Sequence, residues 1–547
     1  MTTLNGSSAT SKASSNESLF KILVASDIHL GYKEKHQILS DDSFIAFEEI
    51  LQIANSRDVD FILLGGDLFH DAMPSPNSLN RCILLLRTYV MGDKMIEFEF
   101  LSDQNQNFEG SFNHKVNYED LNLNVAIPVF SIHGNHDDMS GTGRLSALDL
   151  LSSAGFLNYI GKWLDLSQVT IAPVVLQKNS TKLALYGLSH IHDARLVRLF
   201  RDRKITIVKP EFDEDEVFNL MVLHQNRADR GRLNYLPEDK LPHFMDLIIW
   251  GHEHDCRIQP EQNGKMFVSQ PGSSVATSLC EGEAIEKKVG ILHVNEKSFN
   301  MEPVSLKTVR PFIFRSINIE EFVEELHLNE RNIKENVEKF YAQQIEEMID
   351  ESKKKITGHP KQPTLPLIRL RIVYLDENHL INCARFGQKY EKRIANPESA
   401  LHFKKIVVRT KQSGYNPDDI KMQSAFDKKK QQDCVEDVVE SYFNDSENAK
   451  EAFQEAVIEN SRQKPTSVPN VQLIDEDDDS KLKTTTSSTS STRGRSARGR
   501  GRGTSSTALN VRTVRGKADQ SLSAALKQRS TKSIVNKSIY IDDSDSD

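Results

Sequence analysis

Phe20-Lys-Ile-Leu-Val-Ala-Ser-Asp-Ile-His-Leu-Gly31 begins as an apolar run and ends in an aspartate, a histidine and a glycine. The run, Phe20–Ser26, is too short for a free-standing helix and rich in β-branched and aromatic residues. It therefore reads as a strand buried on both faces. The same kind of run recurs at Phe61–Gly65, Ile127–Ile132, Leu183–Gly187, Phe218–Leu223 and Leu247–Trp250. Amphipathic helical stretches lie between them, among them Asp42–Ser56 and Asn77–Met91. Strands alternating with helices indicate an α/β layered core.

The residues just past each strand carry the chemistry. After the first come Asp27 and His29; after the second, Gly65-Gly-Asp67 and then His70; after the third, Gly134-Asn-His-Asp137. The later strands lead into His224-Gln-Asn-Arg227 and Gly251-His-Glu-His254. In open α/β sheets ligands bind beyond the carboxyl ends of the strands, so five strand ends deliver Asp, His and Asn to one rim. Oxygen and imidazole donors together suit a divalent transition ion such as manganese, iron or zinc. Asp27, His29, Asp67, Asn135, His224, His252 and His254 exceed the needs of one ion. They supply two, with one carboxylate bridging, and two ions roughly 3.5–4 Å apart clamp an in-line displacement at phosphorus. His136, beside a ligand, is then free to protonate the leaving oxygen. Singly, each motif has a bland reading as a turn, a cap or a satisfied histidine. Five in this order, each on the end of an apolar strand, do not.

The rest of the chain is less regular. Residues 92–123 break the rhythm and read as a long excursion, which tends to be functional or disordered. Glu320–Ser352 is charged and helical. In Leu367–Leu375, Ile368, Leu370, Ile372 and Tyr374 alternate with Arg369, Arg371 and Val373, a half-exposed strand with a basic face. With Ile406–Arg409 it suggests a smaller second domain. Asp433–Ile458 is a candidate amphipathic helix, with Val435, Val438, Val439 and Tyr442 at helical spacing. Residues 1–18 and 461–547 lack the apolar content for a core and read as disordered. The latter include acidic Asp475–Asp479, a Ser/Thr tract and the arginine-glycine run Arg493–Gly503.

The formal net charge of −9 does not itself advertise nucleic-acid binding, but the signs are unevenly spread. Five scattered cysteines without a Cys-x-x-Cys pair argue against a disulfide framework or zinc module. With no signal peptide and no apolar run of membrane-spanning length, the expectation is a soluble intracellular protein without membrane contact.

The order of motifs resembles the calcineurin-like metallophosphoesterase superfamily. Asp27-Ile-His-Leu-Gly31, Gly66-Asp-Leu-Phe-His70, Ser131-Ile-His-Gly-Asn-His-Asp-Asp138, His224-Gln-Asn-Arg227, Trp250-Gly-His-Glu-His254 and Gln270-Pro-Gly-Ser-Ser274 narrow this further. They resemble the eukaryotic Mre-eleven nucleases, relatives of the bacterial nuclease SbcD. Arg385-Phe-Gly-Gln-Lys-Tyr390 and Ile394-Ala-Asn-Pro397 resemble that family's capping domain, so the similarity covers about residues 19–410. The resemblance implies a layered β-sandwich core flanked by helices over residues 19–300. It implies a smaller α+β DNA-binding capping domain over 301–410, a linker and partner helix over 411–460, and a disordered tail. It assigns Asp27, His29, Asp67 and His254 to one manganese and Asp67, Asn135, His224 and His252 to the other. His136 becomes the catalytic histidine, with His70 a second histidine near the scissile phosphate. The sequence departs from the family at Asp229-Arg230-Gly231, where a His-Gly is expected.

The implied function is a nuclear, chromosome-associated nuclease with 3′-to-5′ exonuclease and single-strand endonuclease activities. It would act in double-strand-break repair, homologous recombination, meiosis and telomere maintenance. The implied partners are DNA, a second copy of the chain, the SMC-like ATPase Rad-fifty at the 411–460 helix, and nibrin at the 92–123 insertion. Apolar residues of the first two helices, Phe44, Phe47, Ile50, Leu51, Ile83, Leu84 and Leu86, suggest part of the dimer surface. Two other classes compete. A protein phosphatase carries arginines that grip the phosphoryl group, where this chain has Leu68-Phe69-His70 and Ile132-His133. A DNA-binding scaffold with a dead site conflicts with the intact set of donors.

Overall fold

The computed structural model describes residues 17–406, apart from 141–142, 164, 214, 229–233 and 329–331. The candidate helix Asp433–Ile458, the arginine-glycine run Arg493–Gly503 and the loop Asp229-Arg230-Gly231 lie outside the described residues, as do residues 1–16.

Two sheets stack face to face. The first has six strands, in the order Ser298–Ser305, Lys288–Asn295, Phe20–Ala25, Phe61–Leu64, Val129–Ser131 and Asn158–Tyr159. The last four run parallel, and the hairpin of the first two joins antiparallel. The second has seven: Arg257–Asn263, Met266–Gln270, Leu247–Gly251, Val217–His224, Thr181–Leu188, Val174–Lys178 and Glu99–Phe100. Its middle four are parallel and its edges antiparallel.

Period-two alternation explains the layering. Phe20, Ile22 and Val24 enter the space between the sheets and meet Leu220, Val222 and Ile249 from the other side. Leu23 and Ala25, one residue out of phase, pack against Phe47, Ile50 and Leu86 of the helices Asp42–Ser56 and Pro76–Tyr89. On the far face of the second sheet, Tyr186, Met221, Leu223 and Trp250 pack with Leu196 and Leu199 of the helix Asp193–Arg201. Both faces of both sheets are therefore covered, which is why the strands read as continuous apolar runs. The second helix begins at Pro76, one residue earlier than its apolar pattern indicates. Ser75 caps it by accepting from the Ser78 N–H, and proline suits the first helical position.

The insertion 92–123 is more than an excursion. Glu99–Phe100 pairs with the edge strand at Leu176 and Gln177, and Phe98, Phe108 and Val116 are buried in the inter-sheet core. Its polar sequence conceals three apolar anchors spaced too irregularly to show a period.

A third, parallel sheet, Phe312–Asn318, Leu367–Tyr374 and Leu401–Lys405, carries its own core with the helix Ile333–Ser352. Ile368, Leu370 and Ile372 are fully buried while Arg369 and Arg371 stay partly exposed, so the alternation sorts the faces as expected. The neighbouring strand ends at Lys405, just before the Ile406–Arg409 run expected to support this domain. Arg310 ties this sheet to the first helix. It is buried against Asp42 (Nε to Oδ2, 2.6 Å) and donates to the carbonyls of Ile38 and Leu365. Removing one partner of a buried ion pair strands the other's charge and hydrogen bonds. Arg310→Ala is therefore expected to destabilise the chain by about 3–5 kcal/mol in chemical denaturation.

Most of the helix residues offered as a dimer surface face inward. Phe44, Phe47, Ile50, Leu51 and Leu86 are buried in the chain's own core, and Leu84 is the one of the seven that is exposed. Cys82, Cys256, Cys280 and Cys383 are free thiols; Cys434 lies outside the described residues. Among the described residues, no helix is long and apolar enough to cross a membrane.

Candidate metal centre

The carboxyl ends of both sets of parallel strands open onto one rim. Asp27 and His29 follow the strand Phe20–Ala25, and Asp67 and His70 follow Phe61–Leu64. Asn135 and His136 follow Val129–Ser131; His224 ends its strand, and His252 and His254 follow Leu247–Gly251. Asp27, His29, Asp67 and His252 all adopt positive φ (53°, 52°, 51° and 85°). Such backbone costs energy for residues other than glycine and persists where surrounding structure enforces it, commonly at functional sites. Glycine is needed where the turns close: a Cβ on Gly134 would lie 2.0 Å from Asp67 Oδ1 and 2.6 Å from His224 Nε2.

The donor atoms fall into two neighbouring groups. In one, His29 Nε2 lies 3.1 Å from His254 Nε2, which lies 3.6 Å from Asp27 Oδ1. In the other, Asn135 Oδ1 is 3.2 Å from His224 Nε2 and 2.8 Å from His252 Nδ1. Asp67 stands between them, its Oδ2 3.7 Å from His29 Nε2 and 3.5 Å from His224 Nε2. Asp27 also faces both groups, since its Oδ1 is 4.0 Å from His224 Nε2. His70 and His136 sit beside the first group: their rings stack at 4.8 Å, and each meets His29 edge-on. The structure thus brings all nine expected residues to one rim.

Electrostatics at this rim favour a cation. Burial raises the pKa of Asp27. For Asp67 the penalty of burial is overcome by adjacent His224, and its carboxyl is held well below the usual carboxylate range. Burial disfavours a charged His224, yet Asp67 and Asp27 lift it to about 10. Two buried carboxylates thus draw positive charge inward. Asp27 Oδ1 is buried with no hydrogen-bond donor among the described residues. Its lone pairs need a partner, because an unsatisfied buried oxygen costs free energy. A divalent ion between these oxygens and imidazole nitrogens supplies it, so the residues present fit two ions. Burial, with the neighbouring His136 adding to it, pushes His70 down to about 4.

Several supporting residues carry no signal of their own in the sequence. His224 Nδ1 donates to the carbonyl of Gly65 at 2.8 Å, and His252 Nε2 donates to Asn226 Oδ1 at 2.9 Å. These contacts fix the tautomers so that the opposite nitrogens face the rim. Asp137 accepts from the backbone of Leu68 and Gly134, both at 2.7 Å, clamping two ligand loops together. Glu283 accepts from His254 Nδ1 at 2.8 Å. Asn226 and Asp137 stand inside quoted motifs, where their polarity is the only hint. Glu283 lies outside every motif.

Known proteins share this architecture. The calcineurin-like phosphoesterase family matches residues 20–256, and the Mre11 DNA-binding presumed domain matches 299–460. The chain is 46% identical over 437 residues to the double-strand break repair protein MRE11 of Mus musculus, covering 79% of this chain and 62% of that one. To the Homo sapiens protein of that name it is 44% identical over 443 residues, covering 80% and 62%. To that of Arabidopsis thaliana it is 42% identical over 397 residues, covering 70% and 54%. The chain thus spans 62% of the length of its mouse and human relatives. With both domain types matched in order and this identity sustained through the phosphoesterase core, the chain belongs to the Mre11 family.

Proposed function

We propose that the chain is a manganese-dependent DNA nuclease that hydrolyses phosphodiesters with two ions. The observation that carries this is the pairing of two donor groups around Asp67, with an unsatisfied Asp27 oxygen facing both. Asp27, His29, Asp67 and His254 would hold one ion, and Asp67, Asn135, His224 and His252 the other. Two such ions supply an activated water and neutralise charge on the attacking and leaving oxygens. The chain's own residues do the rest. His136 Nδ1 donates to the carbonyl of His70 at 2.7 Å, so it is the imidazolium form whose Nε2–H passes its proton to the leaving 3′ oxygen, leaving the neutral ring. His70, packed against it, orients that ring.

The remaining assignments belong to the same proposal. Residues 19–300 form the nuclease domain and 301–410 the DNA-binding cap. Residues 411–460 meet the ATPase Rad-fifty, and nibrin docks on the 92–123 insertion. The chain pairs with a second copy and works in the nucleus as an exonuclease and single-strand endonuclease. Its roles are double-strand-break repair, recombination, meiosis and telomere maintenance. The first test is cleavage of end-labelled duplex DNA by the purified chain with manganese, alongside a phosphoserine peptide. Cleavage of the peptide alone would replace a nuclease by a phosphatase. Deleting residues 461–547, with their arginine-glycine run, is expected to weaken DNA binding and flatten its salt dependence, because fewer counterions are released. An unchanged slope of log affinity against log salt would show that those arginines do not touch DNA.

A further inference from the structure

Glu283 sits in a short turn, Glu281–Ala284, far along the chain from every metal motif, and is 1% exposed. One oxygen accepts from His254 Nδ1 at 2.8 Å, from the Thr277 N–H at 2.9 Å and from the Thr277 hydroxyl at 3.2 Å. The other accepts from the N–H groups of Ser278 at 2.9 Å and Leu279 at 2.7 Å. Leu279 presents its N–H from a left-handed conformation, φ 52°, which a leucine adopts only under constraint. The three backbone N–H groups, from Thr277, Ser278 and Leu279, can only donate and reach both oxygens, which holds the carboxyl group ionised independently of His254. An ionised carboxylate cannot donate, so the proton in the contact to His254 belongs to Nδ1.

We infer that Glu283 is a positioning residue that keeps the Nε2 of His254 bare and aimed at the ion shared with Asp27, His29 and Asp67. This rests on the two-ion site proposed above. The bare Nε2 is the atom 3.1 Å from His29 Nε2 and 3.6 Å from Asp27 Oδ1. Buried Lys287 completes the brace by donating to the His254 carbonyl at 3.2 Å and to Ser273 Oγ at 2.9 Å. The two histidines of the other ion have neutral supports, a backbone carbonyl under His224 and an amide under His252. A carboxylate behind an imidazole raises its basicity as a ligand, whereas a neutral acceptor does so less. The two ions are therefore held unequally, and Glu283 acts on one of them.

The test is manganese titration of the full chain followed by electron paramagnetic resonance. The unmodified chain should bind two ions and show the spectrum of a coupled pair. Glu283→Gln should weaken one ion by about 10–100-fold, leave the other near its original affinity, and give the six-line signal of an isolated ion. A folded Glu283→Gln chain that binds both ions normally, or loses both together, overturns the inference. The glutamine amide would face the Ser278 and Leu279 N–H groups, so Glu283→Asp is measured beside it. The aspartate keeps the charge and should recover part of the lost affinity; no recovery counts against the role. A manganese-loaded structure of the unmodified chain with His254 bound through Nδ1 overturns it without any variant. If the unmodified chain fails to bind two ions, the two-ion reading falls, and that failure is recognised by appearing before any substitution.

Discussion

The His136→Asn chain is expected to fold, bind manganese and hold DNA like the parent, while its cleavage rate falls by ~10²–10⁴. The size follows from losing a positioned proton donor without disturbing the ions. The backbone N–H of His136 donates to Asp67 Oδ1 at 2.8 Å, and this contact survives a side-chain change. The ring lies against His29 and His70. Asparagine can keep a donor toward the His70 carbonyl but has no ring N–H proton to transfer. Single-turnover cleavage, metal analysis and a DNA-binding isotherm on the same preparation check this. Wild-type cleavage in the folded variant would rule out the proton-donor role. Lost manganese would make His136 a structural support or a ligand instead, a live alternative because its ring nitrogen lies within 4.8 Å of ligand atoms of His29 and His70.

Asp67→Ala should be more severe. Its Oδ2 lies 3.5 Å and 3.7 Å from imidazole nitrogens of the two donor groups, so its loss removes an oxygen from both. Cleavage should fall below detection and metal content should drop at both positions. Asn135→Ala removes an oxygen that meets His224 and His252, both of the second donor group, and should mainly empty one position. Metal stoichiometry by mass spectrometry separates them. Two full sites in the Asp67 variant would refute the bridge and leave Asp27, whose Oδ1 also faces both groups, as the alternative.

Short buried strands ending in metal-binding side chains are legible in one dimension because apolar alternation and strand-end position are both local. The run Phe20–Ser26 predicts the strand Phe20–Ala25 for this reason. The helix Asp42–Ser56 has the span its periodicity indicates, since Phe44, Phe47, Ile50 and Leu51 mark the buried face residue by residue. The same residues are a poor guide to a dimer surface, since five of the seven are taken up by the chain's own core. Periodicity reports that a face is apolar and is silent on whether the chain or a second copy covers it. Residues 92–123 failed differently, because three anchors at irregular spacing make no periodic signal yet bury as well as any strand.

By itself, then, the sequence determined the layered α/β core, the order of strand ends and the chemical character of the rim, all of which depend on residue type and local spacing. Only the tertiary structure decided how nine side chains from five strand ends divide into two donor groups about Asp67, and which nitrogen of each histidine is bare. It also decided that Glu283 stands behind His254. A hydrogen bond between groups far apart in the chain depends on the folded path of everything between them. The Glu283–His254 contact spans 29 residues and leaves no pattern in the sequence that could be read before folding.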